Sequence, residues 1–360
     1  MSTFFFFLPF LLLYTVWAVY AERKVSAFIQ DRTGPMETGK YGMLQTVADL
    51  LKLLMKEDIV PTASDRWYFK AAPVLIFTAV FAGFAVVPLT LGWAGSGTEV
   101  GVFYLMAIIS LDVVGILMAG WSANSKYTLL GAFRSVAQMI SYEVPLASCI
   151  VCVVIICQSL DLQAISYQQG IFSTSPNYLF GIKAWGISTN ELGGFLTWNI
   201  LRAPVLIPVF LIFFICALAE SNRAPFDLPE AEAELVGGFH TEYSGFRWAM
   251  VMLSEYGMML LLSFLMSILF LGSWNTPLPN IGSMKLALWT SGTAGSVASF
   301  FWGAFWLIGK SLLLIIVMMW VRWTYPRLRV DQLMSLCWKY LTPAAILLFF
   351  LSALWRLWMI

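Results

Sequence analysis

Charge is scarce in this chain: 11% of its 360 residues are charged, and His240 is the only histidine. One histidine excludes a His-based metal or haem site built from this chain alone. Of the five cysteines, Cys149 and Cys152 form a CxxC. That pair lies inside the apolar run Pro145 to Ile156, where cysteine acts as a small buried hydrophobe rather than a redox pair or metal ligand. Gly303 to Ser311 reads GAFWLIGKS. It has five residues between its glycines instead of four and no preceding strand, so it is no phosphate loop. Gly95-Ser96-Gly97 lacks a third glycine and any βαβ context. There is no Ser/His/Asp set, no room for an iron–sulfur cluster and no internal repeat. A net charge of +1 gives no reason to expect nucleic acid. Redox or hydrolytic chemistry must therefore sit on a partner, and no tightly bound cofactor is expected.

What the chain has in abundance is apolar length. The hydrophobic fraction is 60% and mean hydropathy is +0.80, which predicts an all-α polytopic membrane protein forming one membrane domain over residues 1–360. Eight spans are expected, at about Phe4–Tyr20, Ala71–Leu91, Val102–Gly120, Val144–Leu160, Ala203–Ala219, Trp248–Leu271, Val297–Val321 and Tyr340–Trp358. The first has an uncharged N-terminal flank and Glu22-Arg23-Lys24 after it. That polarity is the reverse of a secretory signal and predicts a retained helix with its N-terminus outside. The inner loops are then 21–70, 121–143, 220–247 and 322–339. They carry 8, 2, 2 and 4 Lys and Arg, together 16 of the chain's 21, as the positive-inside bias requires.

Leu44 to Glu57 is a separate case. Leu44, Val47, Ala48, Leu51, Leu54 and Met55 share one helical face, and Gln45, Asp49, Lys52 and Lys56 the other. At this length the pattern suits an amphipathic helix lying in the interface. The outer stretch Asp161 to Trp198 shows no readable chemistry.

The densest charge lies between Glu220 and Glu255: Glu220, Asp227, Glu230, Glu232, Glu234, Glu242 and Glu255 are seven of the chain's 20 acids. Apolar runs flank the stretch, which puts Glu220 and Glu255 at or inside helices. A charge at bilayer depth costs roughly 2.5–3.5 kcal/mol on insertion scales, so such groups face a polar interior or a wet path. A solvated acidic loop is the plain alternative, but Phe226, Leu235, Val236 and Phe239 make this one too apolar for a tail in water. Asp227, Glu230 and Glu234 fall on one face of a helix that Pro229 could start. Like charges there would raise some of the carboxyl pKa values, which is the chemistry of a proton relay.

That acidic stretch resembles the large inner loop of the H-subunit family of proton-pumping NADH:quinone oxidoreductase, respiratory complex I. Three other stretches resemble the same family, in family order: Glu22–Glu57, Gly131–Pro145 and Tyr325–Pro343. One departure is local. The family follows its Gly-Pro pair with Asn, whereas Met36 follows Gly34-Pro35 here. The resemblance implies a membrane subunit joined to the hydrophilic arm, with the inner loops facing that arm and the interfacial helix framing a quinone chamber. Chamber-lining candidates carried over are Gln30, Arg32, Asp49, Lys52, Arg134, Arg223, Phe226 and Asp227, each of which could instead serve as an ion pair or headgroup contact. The acidic path to the membrane arm would be Glu143, Glu220, Glu230, Glu232, Glu234, Glu242 and Glu255, with Glu220 and Glu255 foremost and Glu232 the most solvated. Quinone would be the substrate. NADH, FMN and iron–sulfur clusters would belong to partner subunits, with antiporter-like subunits alongside in the bilayer. The expected location is a bacterial inner (plasma) membrane with a periplasmic N-terminus, the mitochondrial inner membrane being the lesser alternative. Two rivals remain open. One is the equivalent subunit of a membrane-bound hydrogenase or formate hydrogenlyase. The other is a stand-alone ion carrier, which an internal repeat would have favoured.

Overall fold

The computed structural model describes residues 2–90, 93–173, 177–182, 186, 188–228, 235–280, 284–292 and 296–359. Among the described residues, nine helices carry the architecture: α1 (Ser2–Ile29), α2 (Gln45–Met55), α3 (Arg66–Gly83), α4 (Gly101–Ser122), α5 (Lys126–Cys157), α6 (Leu206–Glu220), α7 (Gly245–Phe270), α8 (Val297–Thr324) and α9 (Val330–Met359). Among the described residues, seven helices are long and apolar enough to cross a membrane, and α6 is apolar but only 15 residues long. With α6 this gives the eight expected spans, and the chain is an all-α, multi-pass membrane protein. A two-stranded hairpin, β1 (Pro88–Thr90) with β2 (Trp93–Ala94), is the one sheet among the described residues.

Helix α7 is the axis. Every residue from Tyr256 to Phe270 is buried, as expected of a helix apolar all round. It packs on α3, α6 and α8, while α5 packs on α4, α6 and α9. Between α3 and α4, a Cβ on Gly115 would lie 2.6 Å from Ile76, so glycine sets that spacing. Lipid tails are as apolar as leucine and provide no hydrophobic drive between helices, so close packing and polar ties hold the bundle.

Those ties gather the loops expected to lie inside at one end. Asp65 N–H donates to Ser122 O (3.0 Å) and Leu328 N–H to Pro225 O (3.1 Å). Ile59 N–H donates to Ser244 Oγ (3.2 Å), and Arg247 pairs with Asp58 (2.8 Å).

Helix limits differ from the hydropathy reading at several places; α3, expected over Ala71–Leu91, runs Arg66–Gly83, and Pro88–Thr90 is a strand. Helix α1 continues to Ile29, so Glu22, Arg23 and Lys24 are helical. Helix α5 starts at Lys126, which reduces the expected loop 121–143 to a turn before Lys126 and places Arg134 and Glu143 on the helix. Lys339 sits in a π-helical segment, Leu336–Leu341, within α9. Hydropathy marks depth in the bilayer, and a helix that continues past the apolar slab keeps its backbone bonds without keeping its composition.

Candidate functional site

A cavity of about 930 Å³ opens between α1, α2, α3 and α7. Its deep wall is apolar, formed by residues such as Leu8, Leu12, Val16 and Phe77. Glu22, Arg23, Ser26, Arg32, Thr46 and Asp49 line its other end, near the inner loops. An apolar volume with a few polar groups at one end fits an amphiphile whose head is polar and whose tail is not.

Helix α2 forms the roof. Asp49 pairs with Arg23 at 2.7 Å and more distantly with Lys52 at 3.9 Å, and Arg32 Nη2 donates to Ser26 Oγ at 3.4 Å. Thr46, Asp49, Leu50 and Leu53 turn towards the cavity. Leu44, Val47, Leu51 and Met55, the apolar face, are exposed. The helix therefore shows its apolar stripe to the surroundings, as an interfacial helix lying in lipid does.

Behind the polar end is a buried ionic hub. Glu22 of α1 accepts from Arg223 Nη1 on both oxygens at 3.0 Å, from Arg322 of α8, and from the Tyr256 hydroxyl of α7 at 2.6 Å. The Arg223 guanidinium also lies over the Tyr256 ring, 4.3 Å from its centroid. Burial opposes the Arg223 charge, but Glu22, Tyr256 and Glu255 outweigh it and hold its pKa well above the usual range. With Glu255 in electrostatic reach, two guanidinium groups face two carboxyls.

A second cluster adjoins the first along the chain. Glu220, 1% exposed at the end of α6, has neither side-chain oxygen hydrogen-bonded. Its electrostatic neighbours are Glu143 on α5 and Asp112 on α4. Glu143 and Asp112 each have one buried oxygen with no hydrogen-bond partner. Gln138 Nε2 pins the connecting loop to α5 by donating to Ala219 O (2.8 Å) and Phe226 O (2.9 Å).

The structure thus brings Arg32 and Asp49 to the cavity, and Arg223 and Glu255 to the hub behind it. Glu143 and Glu220 come together in the second cluster. It does not bring Gln30, Lys52, Arg134, Phe226 or Asp227 to the cavity wall. Gln30 and Lys52 are exposed, and Arg134 is half-buried on α5 with its own partners. Phe226 packs edge-on against Tyr142 (5.4 Å), and Asp227 pairs with Arg327 (3.0 Å). Glu242 is half-buried in the loop before α7. Glu230, Glu232 and Glu234, with the helix face expected from Pro229, lie outside the described residues. Sequence reasoning missed Glu22, Tyr256, Arg322 and Asp112. Asp112 carried a legible signal, a lone carboxyl inside an apolar run, but the Glu22 partners are separated from it by 201 to 300 residues. Among the described residues, no group of three or more His, Cys, Asp or Glu side chains could hold a metal ion.

Fold and site together define a polytopic membrane protein with a cavity that is apolar at one end and polar at the other. The family model "NADH dehydrogenase" matches residues 1–353. The chain is 58% identical over 358 residues to an H subunit (number 2) of the NADH-quinone oxidoreductase of Cytophaga hutchinsonii, covering 98% of each chain. It is 49% identical to the H subunit of Chlorobium luteolum (98% of this chain, 87% of that one) and 41% identical to the H subunit of Bacillus cytotoxicus (97% and 93%). The chain belongs to this family, the H subunits of NADH-quinone oxidoreductase, respiratory complex I. That membership makes it a membrane subunit of an oxidoreductase, with quinone as the enzyme's substrate and other complex I subunits as its partners.

Proposed function

We propose that this chain frames the chamber by which quinone reaches its reduction site, and that its buried carboxyls couple that reduction to proton translocation. The cavity carries the reading. Its polar end, Arg32 and Asp49 with Glu22 behind, sits against the inner loops, and its apolar end follows α1. A quinone entering from lipid would keep its tail among Leu8, Leu12 and Phe77 and present its ring to Ser26, Arg32 and Asp49.

The inner loops would face the hydrophilic arm, whose subunits carry NADH, FMN and the iron–sulfur clusters, and the N-terminus would lie outside a bacterial plasma membrane. When the quinone ring gains electrons and draws protons, the charge near Arg32 and Asp49 changes. The Glu22–Arg223–Glu255 hub would feel that change in a low-dielectric interior. Glu220 lies three residues before Arg223 in sequence and in electrostatic reach of Glu143, so a proton added at one carboxyl alters the affinity of the next. Antiporter-like partners in the membrane would pump in response. In this reading the chain binds quinone as substrate and holds no cofactor tightly.

Glu220→Gln and Glu255→Gln in reconstituted complex I are the direct test. Quinone reduction should continue while proton pumping per electron pair falls. Unchanged pumping and unchanged reduction in both variants would remove the relay. A photoreactive quinone that cross-links nowhere between Arg32 and Lys56 would remove the chamber.

A further inference from the structure

We propose that Arg202 and Arg356 form a binding site for the phosphate group of an anionic phospholipid, on the bundle face opposite the inner loops. Arg202 ends the one-turn helix Asn199–Arg202 that precedes α6, and Arg356 lies in the last turn of α9. Both are at helix ends remote from Glu22 and the cavity.

Arg202 is 9% exposed, yet its side chain is poorly satisfied. Its Nη1 donates to the neutral Gln168 Oε1 at 3.4 Å, and its Nε is buried with no partner. The Arg356 Nε is likewise buried and unpartnered. Among the described residues, neither guanidinium is ion-paired with a carboxylate. The two helix ends meet at Leu179–Gly181: the Asn199–Arg202 turn packs on that segment, and a Cβ on Gly181 would lie 2.7 Å from the Met359 side chain at the end of α9. Two like charges in a shielded place, with N–H groups left over, are an arrangement that a phosphate relieves. Guanidinium forks match phosphate oxygens in geometry and charge.

A lipid source is favoured by the surface around Arg356. Leu354, Leu357 and Trp358 are exposed at 62%, 70% and 65%, and the Trp355 and Trp358 rings lie 5.3 Å apart. Exposed leucine beside tryptophan and arginine at a helix end marks the headgroup level of a bilayer. An acyl chain could run along that leucine surface while its phosphate meets the arginines. Neither residue belongs to the cavity, the hub or the acid cluster.

The test uses intact purified complex I in detergent and phosphatidylglycerol or phosphatidylcholine bearing a photoreactive group near the glycerol backbone. Phosphatidylglycerol should label peptides from 199–206 and 342–359, and phosphatidylcholine should label them severalfold less. Arg202→Gln and Arg356→Gln should each cut the phosphatidylglycerol label severalfold, whereas Arg356→Lys should keep most of it. Quinone reductase activity should stay at the wild-type level, which shows that each variant is assembled. Inorganic phosphate, added as competitor, separates the sources. Displacement at millimolar concentration would mean that the arginines take free phosphate, and no displacement means that the lipid chains are part of the ligand. Labelling that is equal in wild type and in the Arg202→Gln/Arg356→Gln double variant overturns the site. A carboxylate from a neighbouring subunit filling the pair would give that result.

Discussion

Glu22 shows how a single carboxyl can organise three helices. It sits on α1 and receives Arg223 from the α6–α7 loop, Arg322 from α8 and the Tyr256 hydroxyl from α7. Removing one member of a buried ion pair strands its partners and costs about 3–5 kcal/mol. Glu22→Gln is therefore expected to leave Arg223 and Arg322 repelling each other and to lower the melting temperature of the complex together with quinone reductase activity. Tyr256→Phe removes one hydrogen bond to a charged group, worth about 1.5–3 kcal/mol, so its effect should be clearly smaller in the same melting assay. Equal damage from the two would mean that Glu22 is not the centre. Tyr243 gives a second test at this scale. Its ring stacks on Phe69 (4.2 Å) and its hydroxyl donates to Phe69 O (3.2 Å). Burial pushes its pKa from 10.0 up to about 12 against smaller opposing effects from Ser122 and Arg247. A group whose pKa is raised by folding contributes stability that is complete below the unfolded value and fades as pH rises through the folded one. The Tyr243 contribution should therefore persist to about pH 10 and disappear towards pH 12. Difference absorbance against Tyr243→Phe should show one tyrosine ionising in that upper window, and ionisation near the ordinary tyrosine value would contradict the burial.

At the scale of elements, the apolar pattern predicted which segments form the long apolar helices and failed at their ends, at the inner end of α5 and at the far end of α3. Nothing between Lys126 and Val144 breaks a helix, so α5 runs 32 residues, while its polar residues Arg134, Gln138 and Ser141 lower the hydropathy that the reading relied on. The amphipathic face of α2 was legible, but not which way it turns, because period alone cannot tell lipid from protein. The acid cluster was half legible. Glu220 stood out as a charge ending an apolar run, whereas its electrostatic proximity to Asp112 is a matter of helix packing that no spacing encodes. Two elements invite tests. The Lys310 ammonium of α8 donates to Leu271 O (2.7 Å), Ser273 O (2.9 Å) and Asn275 O (2.6 Å), and so seats a cation on the C-terminal end of α7. Cations at that end of a helix satisfy its free carbonyls and complement its dipole. Lys310→Met should speed amide hydrogen exchange at 271–276 relative to wild type, and unchanged exchange there would show that the cap does not hold α7. At the cavity roof, the Arg23–Asp49 pair is partly exposed and worth at most about 1 kcal/mol. Asp49→Asn should leave the melting temperature nearly unchanged and raise the apparent KM for quinone severalfold. A loss of stability without a change in KM would make the pair an anchor only.

For the whole molecule, the two ends of the bundle differ in how they are knitted. The inner-loop end holds the Arg247–Asp58 and Arg327–Asp227 pairs and the polar mouth of the cavity. The opposite end, where Lys310, Arg202 and Arg356 lie, is tied by side-chain amides. Gln169 donates to Ile268 O (2.8 Å) and Asn199 donates to Leu269 O (2.9 Å), so the outer segments lock onto the end of α7. That asymmetry distinguishes one face of the bundle from the other. It also makes orientation measurable, because all five native cysteines are buried and should not react with a bulky reagent. Glu57 follows α2 at the inner-loop end, and Glu99 precedes α4 at the other; both are exposed. In whole cells, a membrane-impermeant maleimide should label the Glu99→Cys variant and leave Glu57→Cys untouched. In inside-out vesicles stripped of the hydrophilic arm, the pattern should reverse. Labelling of Glu57→Cys from the outside of intact cells would invert the bundle, place the cavity mouth away from the electron donors, and remove the quinone chamber with it.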